Sequence, residues 1–271
     1  MVFMDILMQE ATYLDWNKSF DILNKAHEAG LFVLIIGPKG TGKTTLVRDF
    51  AKNRSAKLDS INFSLRTRES HLIGTKTLNE GTVGFDEGLL IKSMRDGNIL
   101  YLDEINSAEA DVLLRLDEAL DDRRQIVLKE STGETIKANQ NWFVIATINP
   151  LTHVGTKELP PQLLSRFPVR IRLDYPSEEI ELEIVKKYIS DVKDEDLIQG
   201  IKLANTLRQA AAVEELDYSP SLRETISFAK LLESKTLPRD AANIVFGNVY
   251  AQWGNVEYQK VSDIITSMFG S

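Results

Sequence analysis

The segment Phe32-Val33-Leu34-Ile35-Ile36-Gly37-Pro38-Lys39-Gly40-Thr41-Gly42-Lys43-Thr44 joins an apolar run to a glycine-rich loop. The first five residues are continuously apolar, which is typical of a strand buried on both faces of a parallel sheet. Residues 37–44 satisfy the pattern G-x-x-x-x-G-K-S/T, and a helical pattern begins at Lys43. Glycines in such a loop let backbone N–H groups point at phosphate oxygens beside the positive end of a helix. The segment therefore predicts a strand, a phosphate-binding loop and a helix in direct succession.

The predicted phosphate-binding loop supplies contacts for a nucleotide and one ligand for a metal ion. We expect Lys43 to reach the β- and γ-phosphates and the Thr44 hydroxyl to bind magnesium. The alternative, a glycine-rich turn with a solvated lysine, is disfavoured by the strand and helix that flank the loop. The residues expected to bind the nucleotide are Gly37, Pro38, Lys39, Gly40, Thr41, Gly42, Lys43, Thr44 and Thr45.

Further apolar runs along the chain predict a parallel sheet. The runs at 60–63, 99–102 and 142–146 have the composition of strands, and the alternating run at 169–173 is typical of an edge strand. Helical patterns lie between them, notably at 108–120, where apolar residues recur at a spacing of three to four. Strands that alternate with helices predict an α/β fold with right-handed crossovers, here a three-layer αβα domain of the P-loop NTPase type.

The pattern changes after Pro176, which predicts a domain boundary. No strand-like run of any length follows, and the remaining residues indicate four or five helices. We expect an αβα core at 1–176 and an all-helical lid at 177–271. Two segments interrupt the alternation in the core, a glycine-rich stretch at 81–88 and a predicted hairpin that turns at 131–134. Both are predicted to be insertions that decorate the sheet.

Polar side chains follow two of the predicted strands at their carboxyl ends. Asp103 and Glu104 end one run, and Asn149 ends another. Beside a phosphate loop, Asp103 is suited to the magnesium shell and Glu104 to polarising an attacking water, while the Asn149 amide could contact the γ-phosphate or orient that water. In isolation, the two acids would indicate a helix N-cap, and Asn149-Pro150 would indicate only a turn.

The composition excludes several kinds of site and partner. The 271 residues contain no cysteine, which excludes thiol nucleophiles, disulfides and thiolate metal sites. The three histidines have no ligand-like spacing, so a zinc enzyme is disfavoured. A net charge of −8 argues against a protein that wraps duplex DNA. The N-terminus lacks the basic region of a secretory signal and the longest apolar run, residues 31–36, is too short to span a membrane, so we expect a cytoplasmic protein.

These segments together resemble the AAA+ ATPases and, within them, the MoxR-like branch. The resemblance covers about residues 20–235, in which 37–44 resembles Walker A, 100–104 resembles Walker B and Asn149 resembles sensor 1. It implies the cofactors ATP and Mg²⁺. It also implies a homo-oligomeric ring, usually a hexamer, that remodels a client protein, commonly with a partner carrying a von Willebrand factor A domain.

The resemblance also assigns roles to two arginines. Arg166 lies in a segment, 163–167, that resembles the arginine-finger segment, which implies that it stabilises transition-state charge at the neighbouring subunit's site. An ordinary intrachain ion pair is the alternative. Arg223 lies in a segment, 219–223, that resembles sensor 2, which implies contact with the γ-phosphate of its own subunit. An arginine at the start of a helix, without such a role, is the alternative.

Two further features leave alternatives open, and one more fits the resemblance. The family's usual glycine-glutamine segment ahead of the loop is absent, and Tyr13, Trp16 and Phe20 could stack on the base or form one face of a helix docked on the core. The stretch at 81–88 resembles the helix-2 insert, and the hairpin near Ser131 resembles the pre-sensor 1 insert. The former could present an apolar tip to a polypeptide in a ring pore, or bury Phe85 in a turn.

The sequence thus predicts a magnesium-dependent ATPase that works as an oligomeric ring on protein complexes. One alternative is a nucleic-acid-dependent motor, but the 81–88 insert lacks basic residues interleaved with aromatics, so protein is the favoured substrate. A second alternative is a scaffold that binds ATP to assemble and turns over little. The presence of Glu104 and Arg166 argues against that scaffold.

Overall fold

A five-stranded parallel sheet is formed by the first two thirds of the chain. In the computed structural model, residues 12–79, 82–129, 133–150 and 157–270 are described. The sheet has the strand order β2-β5-β8-β1-β9, and all four neighbouring pairs are parallel. Its strands are β1 (Val33–Ile36), β2 (Leu58–Asn62), β5 (Ile99–Asp103), β8 (Phe143–Ile148) and β9 (Val169–Arg172); two antiparallel hairpins are formed by β3 (Gly74–Asn79) with β4 (Thr82–Glu87) and by β6 (Gln125–Val127) with β7 (Thr135–Lys137).

This sheet confirms the α/β fold that the apolar runs predict. The three inner strands, β1, β5 and β8, are buried along nearly their whole length, which explains why their sequences are continuously apolar. The two outer strands, β2 and β9, are only partly buried, and their sequences accordingly mix polar with apolar residues. Helices connect the parallel strands, as parallel pairing requires.

Among the described residues, six α-helices lie in the same part of the chain as the sheet. The helix α2 begins at Lys43, directly after the glycine-rich loop, and α4 is followed by Gly97, whose φ of 74° is the left-handed conformation common at helix C-termini. A short 3-10 helix, Ile105–Ser107, follows β5. The six helices are α1 (Ser19–Glu28), α2 (Lys43–Asn53), α3 (Glu69–Leu72), α4 (Leu89–Asp96), α5 (Ala110–Leu120) and α6 (Pro161–Ser165).

The two predicted insertions differ in how well the sequence anticipated them. The stretch at 81–88 contains the whole of β4, which pairs with β3 from Gly74↔Glu87 to Asn79↔Thr82, so most of this stretch is a strand rather than a loop. The strand β3 was not predicted from the sequence. The second insertion is a hairpin, as predicted, with Gln125 opposite Lys137. Residues 131 and 132 of its predicted turn lie outside the described residues.

The chain from Asp174 onward is helical in the part that the structure describes. Contacts group 17–38 and 43–173 into one compact unit, and 12–16, 39–42 and 174–270 into another. Its helices are α7 (Glu178–Lys186), α8 (Asp194–Ala212), α9 (Leu222–Glu233), α10 (Pro238–Ala242) and α11 (Asn255–Phe269), with a π-helical turn at Asn243–Gly247 and a 3-10 helix at Asn248–Trp253 between the last two.

Local sequence signals explain where several of these helices begin. The Ser177 hydroxyl accepts a hydrogen bond from the Ile180 N–H, as an N-cap serine does. Ser221 and Glu224 form a reciprocal capping box at the start of α9. Pro238 occupies the first position of α10. The helices bury one apolar cluster that includes Leu203, Phe228, Phe246, Tyr250 and Ile265. None of the helices described is long and apolar enough to cross a membrane.

Candidate functional site

The glycine-rich loop connects β1 to α2 at the carboxyl edge of the sheet. Gly40 and Gly42 have φ angles of 69° and 91°, in the left-handed region that residues with a Cβ rarely adopt. The Lys43 ammonium lies within 2.7 Å of the Gly37 carbonyl oxygen and 2.8 Å of the Pro38 carbonyl oxygen. Lys43 is only 7% exposed, so it is not the solvated lysine of a simple glycine turn. Its ammonium is held by the two backbone carbonyls that directly follow β1.

A chain of hydrogen bonds leads from Lys43 across the sheet. The Lys43 ammonium donates to Asn149 Oδ1 over 2.9 Å, and Asn149 Nδ2 donates to Glu104 Oε1 over 2.8 Å. Asn149 follows β8 and is 2% exposed. The structure therefore brings together three residues that the sequence placed at separate positions, and the amide joins the lysine to the carboxylate.

Glu104 has an unusual backbone conformation for its position. It follows β5 directly, with φ 56° and ψ 44°, which is the left-handed region that residues other than glycine seldom occupy. Its N–H donates to Thr147 Oγ1 over 3.0 Å, which holds this turn against β8. Glu104 precedes the 3-10 helix, but its side chain makes no capping hydrogen bond there. The observed geometry thus differs from the N-cap alternative, and it aims the carboxylate at Asn149.

Asp103 and Thr44 are linked by a residue that the sequence analysis missed. Asp103 Oδ1 accepts hydrogen bonds from Tyr101 OH at 2.7 Å and from Thr147 Oγ1 at 2.6 Å. Tyr101 OH also lies 3.2 Å from Thr44 Oγ1. Burial, together with the negative charge of Asp103, raises the pKa of the Tyr101 phenol. Tyr101 lies two residues before Asp103 on the same strand, and this spacing was the signal that could have found it.

The residues at this edge fit a magnesium ion. Mg²⁺ prefers oxygen ligands and is commonly bound by one or two protein side chains together with substrate phosphates and water. Thr44 and Asp103 supply a hydroxyl and a carboxylate, joined through one phenol, next to a loop built for phosphate. Among the described residues, no group of three or more His, Asp or Glu side chains could hold a metal alone. A site of this kind would depend on the nucleotide for its remaining ligands.

Arg166 takes part in an ion pair within its own chain. It follows α6, and its Nε donates to Asp117 Oδ1 on α5 over 2.9 Å. This hydrogen bond raises the pKa of the Arg166 guanidinium above its usual value. The intrachain pair is the alternative that the sequence left open, and it is what one chain shows. The role at a neighbouring subunit's site stays a prediction.

Arg223 belongs to the other compact unit. It lies in the first turn of α9, where its backbone N–H donates to Ser221 Oγ over 3.2 Å. Arg223 is exposed. Glu224, beside it, accepts hydrogen bonds from the Ser221 and Tyr218 hydroxyls, which fix the start of the helix. The predicted contact of Arg223 with the γ-phosphate stays a prediction.

The aromatic residues ahead of the loop do not form one helical face. The helix α1 begins at Ser19, so Phe20 lies in it but Tyr13 and Trp16 precede it. The Phe20 ring packs edge-on against Phe50 of α2, with centroids 6.0 Å apart, as a residue that docks a helix would. The expectation of a single docked helix is therefore wrong for Tyr13 and Trp16 and agrees with the structure for Phe20.

The predicted apolar tip of the 81–88 insert is also corrected. Phe85 lies within β4, directly opposite Lys76 of β3, and is partly buried. It is therefore part of a paired strand rather than the end of a projecting loop or a buried turn. Residue 81 lies outside the described residues.

Comparison with known proteins shows to which family and relatives this chain is similar. The family model described as AAA domain (dynein-related subfamily) matches residues 32–167. An uncharacterized protein of Staphylococcus haemolyticus is 34% identical over 214 residues, which are 76% of this chain and 80% of that protein. An uncharacterized protein of Staphylococcus aureus is 34% identical over 206 residues, 74% of this chain and 77% of that protein.

A solved structure shares the fold. It is that of a candidate ATPase from Cytophaga hutchinsonii, with a TM-score of 0.51 and 21% sequence identity over 93% of this chain and 89% of that chain. At this identity the likeness supports the fold, the parallel sheet followed by a helical region.

Proposed function

The chain belongs to the AAA domain family, dynein-related subfamily, and from this premise we propose that it is a magnesium-dependent ATPase whose hydrolysis drives the remodelling or assembly of protein complexes. The observation that carries the proposal is the connection of Lys43 through Asn149 to Glu104. A phosphate-binding cation and a carboxylate beside it are two of the parts that γ-phosphate hydrolysis requires.

Each residue of this edge has a distinct task in the proposed reaction. Attack of water on the γ-phosphate needs positioning and charge neutralisation more than covalent chemistry. Lys43 binds the β- and γ-phosphates, and Glu104 accepts a hydrogen bond from the attacking water and orients it. Asn149 holds the Glu104 carboxylate by its amide N–H. Lys43, Asn149 and Glu104 follow one another along the hydrogen-bonded chain. In the proposal they are the phosphate contact, the connecting amide and the water contact.

Thr44 and Asp103 would hold the metal in this scheme. Bound magnesium supplies charge neutralisation at the phosphates. Asp103 Oδ1 is engaged by Tyr101 and Thr147, which leaves Oδ2 to face the cation or its water. Gly40 and Gly42 give the loop the left-handed turns that let its N–H groups surround the phosphates.

The finer proposal is a MoxR-like chaperone that acts as a ring, commonly a hexamer, on a protein client. Arg166 supports it, because an arginine at the end of a short helix after β8 is available to a neighbouring subunit if it exchanges Asp117 for a phosphate. The side chains of Arg166 and Asp117 are 26% and 28% exposed, and such a partly exposed pair can exchange its partner because exposed ion pairs contribute only about 0–1 kcal/mol. A partner with a von Willebrand factor A domain, and a role for Arg223 at the γ-phosphate, belong to the same proposal.

The deciding experiment measures ATPase rate against protein concentration while light scattering reports the mass. We expect specific activity to rise with concentration, to follow a ring-sized mass and to ignore added single-stranded DNA. Arg166→Ala should lose this activity, and Arg170→Ala, which removes an exposed arginine that donates to the Leu164 carbonyl, should keep it. Constant specific activity from a monomer would refute the ring, and strong stimulation by DNA, weakened by salt, would favour a nucleic-acid motor.

A further inference from the structure

The phenol of Tyr101 lies between the two residues that would hold magnesium. Tyr101 and Asp103 are two residues apart on β5, so their side chains point to the same face of the sheet. The phenol oxygen is 2.7 Å from Asp103 Oδ1 and 3.2 Å from Thr44 Oγ1. The hydroxyl of one tyrosine therefore connects the loop side of the site to the strand side.

The proton count fixes the direction of these hydrogen bonds. A phenol has a single proton, and Tyr101 donates it to the Asp103 carboxylate, which can only accept. The Thr44 hydroxyl must then donate to the phenol oxygen. The Thr44 proton then points away from the proposed cation, and the lone pairs of the Thr44 hydroxyl oxygen are left to bind it. The 3.2 Å distance is longer than the usual O–H···O distance of about 2.7 Å, so Thr44 is held loosely and Asp103 tightly.

Burial and hydrogen bonding fix the phenol as a donor to Asp103. Tyr101 is 2% exposed, and its hydroxyl proton is donated to the Asp103 carboxylate. A protonated phenol is a poor ligand for magnesium but a good donor to a carboxylate that binds magnesium. Thr147 donates to the same oxygen of Asp103, so both partners act on Oδ1 and orient Oδ2.

We propose that Tyr101 is a positioning residue for the metal, which orients Asp103 and Thr44 through its hydroxyl and so strengthens the coupling between magnesium and nucleotide. The inference rests on the proposed magnesium-dependent function and deepens it. It assigns to the site a further polar residue, which lies inside the apolar part of β5 and not at its carboxyl end with Asp103. Residues that orient a metal ligand typically contribute about 10–100-fold to metal affinity.

The test compares Tyr101→Phe with the wild type, because phenylalanine keeps the ring and removes only the hydroxyl. The affinity for a fluorescent ATP analogue is measured in EDTA and again at a series of Mg²⁺ concentrations. The quantity of interest is the factor by which magnesium tightens nucleotide binding. We expect that factor to fall about tenfold in Tyr101→Phe, with unchanged affinity in EDTA and an unchanged melting temperature.

Tyr250→Phe is the matched control. Tyr250 is also fully buried, and its hydroxyl donates to the Tyr218 carbonyl over 2.8 Å, within the helical region. Removing that hydroxyl should leave the magnesium factor at the wild-type value.

Other results would overturn the inference in distinguishable ways. A wild-type magnesium factor in Tyr101→Phe would mean that the hydroxyl does not position the metal ligands. Weaker binding in EDTA with an unchanged factor would mean that Tyr101 shapes the phosphate loop instead. If the wild type binds no nucleotide, the proposed function fails and the inference fails with it. If the wild type binds nucleotide equally well with and without magnesium, the magnesium dependence and this inference are refuted, while the proposed nucleotide binding stands.

Discussion

The carboxylate of Glu104 is the group that should separate nucleotide binding from turnover. It is held 2.8 Å from Asn149 Nδ2, at the end of β5. Glu104→Gln keeps the shape but loses the charge that polarises water, and a general base contributes about 10²–10⁴-fold. We therefore expect ATP binding to be retained and turnover to fall by about 100-fold or more, as measured by calorimetry and by phosphate release.

Glu109→Gln is the control for this prediction. Glu109 is exposed, and its carboxylate pairs with Lys157 over 3.0 Å. The variant Glu109→Gln should change neither ATP binding nor turnover. Normal turnover in Glu104→Gln would remove Glu104 from its proposed role.

The ammonium of Lys43 should be required for nucleotide binding itself. It is buried among the Gly37 carbonyl, the Pro38 carbonyl and the Asn149 amide, and in the proposed complex it contacts two phosphates. Hydrogen bonds to charged groups contribute about 1.5–3 kcal/mol each, so Lys43→Ala should weaken ATP binding by about 100-fold or more.

Lys25→Ala, which removes an exposed lysine paired with Asp21, should bind ATP as the wild type does. The assignment of the loop would be refuted if Lys43→Ala, shown to be folded by circular dichroism, bound ATP with wild-type affinity.

At the scale of the element, a buried ion pair joins α7 to α8. Arg208 Nη2 lies 3.0 Å from Glu181 Oε1, and its Nε donates to the Pro220 carbonyl over 2.8 Å. Glu181 is fully buried and Arg208 is 7% exposed. Arg208→Met would leave the Glu181 charge buried without its partner, which typically costs about 3–5 kcal/mol. We expect a loss of that size in the free energy of unfolding from urea titration.

A surface pair on the same helices provides the comparison. Lys186 lies 2.6 Å from Asp194, and both side chains are about half exposed. Because exposed pairs contribute little, Lys186→Ala should change the free energy of unfolding by less than about 1 kcal/mol. Equal losses in the two variants would contradict the argument from burial.

The individual elements show which parts of the fold could be predicted from the sequence and which could not. The inner strands and the loop at 37–44 were predictable because their signals are local: continuous apolar runs and glycines at fixed spacing. The strand β3 was not, because its sequence, Gly74–Asn79, is mostly polar and becomes a strand only by pairing with β4. The Tyr101–Asp103–Thr147 cluster depends on how β5 and β8 lie side by side, which residue spacing alone does not specify.

At the scale of the whole molecule, the proposed ring requires Arg166 to act on a neighbouring subunit rather than within its own. A ring formed by heterologous contacts places one subunit's surface against the next subunit's site. Glu104→Gln then retains a functional Arg166, and Arg166→Ala retains a functional Glu104. If Arg166 acts on the neighbour, mixing the two inactive variants should rebuild complete sites at the interfaces where they meet in the right order.

The size of the recovery follows from random pairing. In a one-to-one mixture, about a quarter of the interfaces combine an intact Glu104 with an intact Arg166 from the next subunit, so activity should approach about a quarter of the wild type if sites act independently. Exchange of subunits is verified first by mass, with a size-tagged copy of one variant. Mixed rings without recovery would mean that Arg166 works only with its own chain, where Asp117 already holds it at 2.9 Å. Recovery would mean that this ion pair must open when two subunits meet, so that assembly and hydrolysis are coupled through a single side chain.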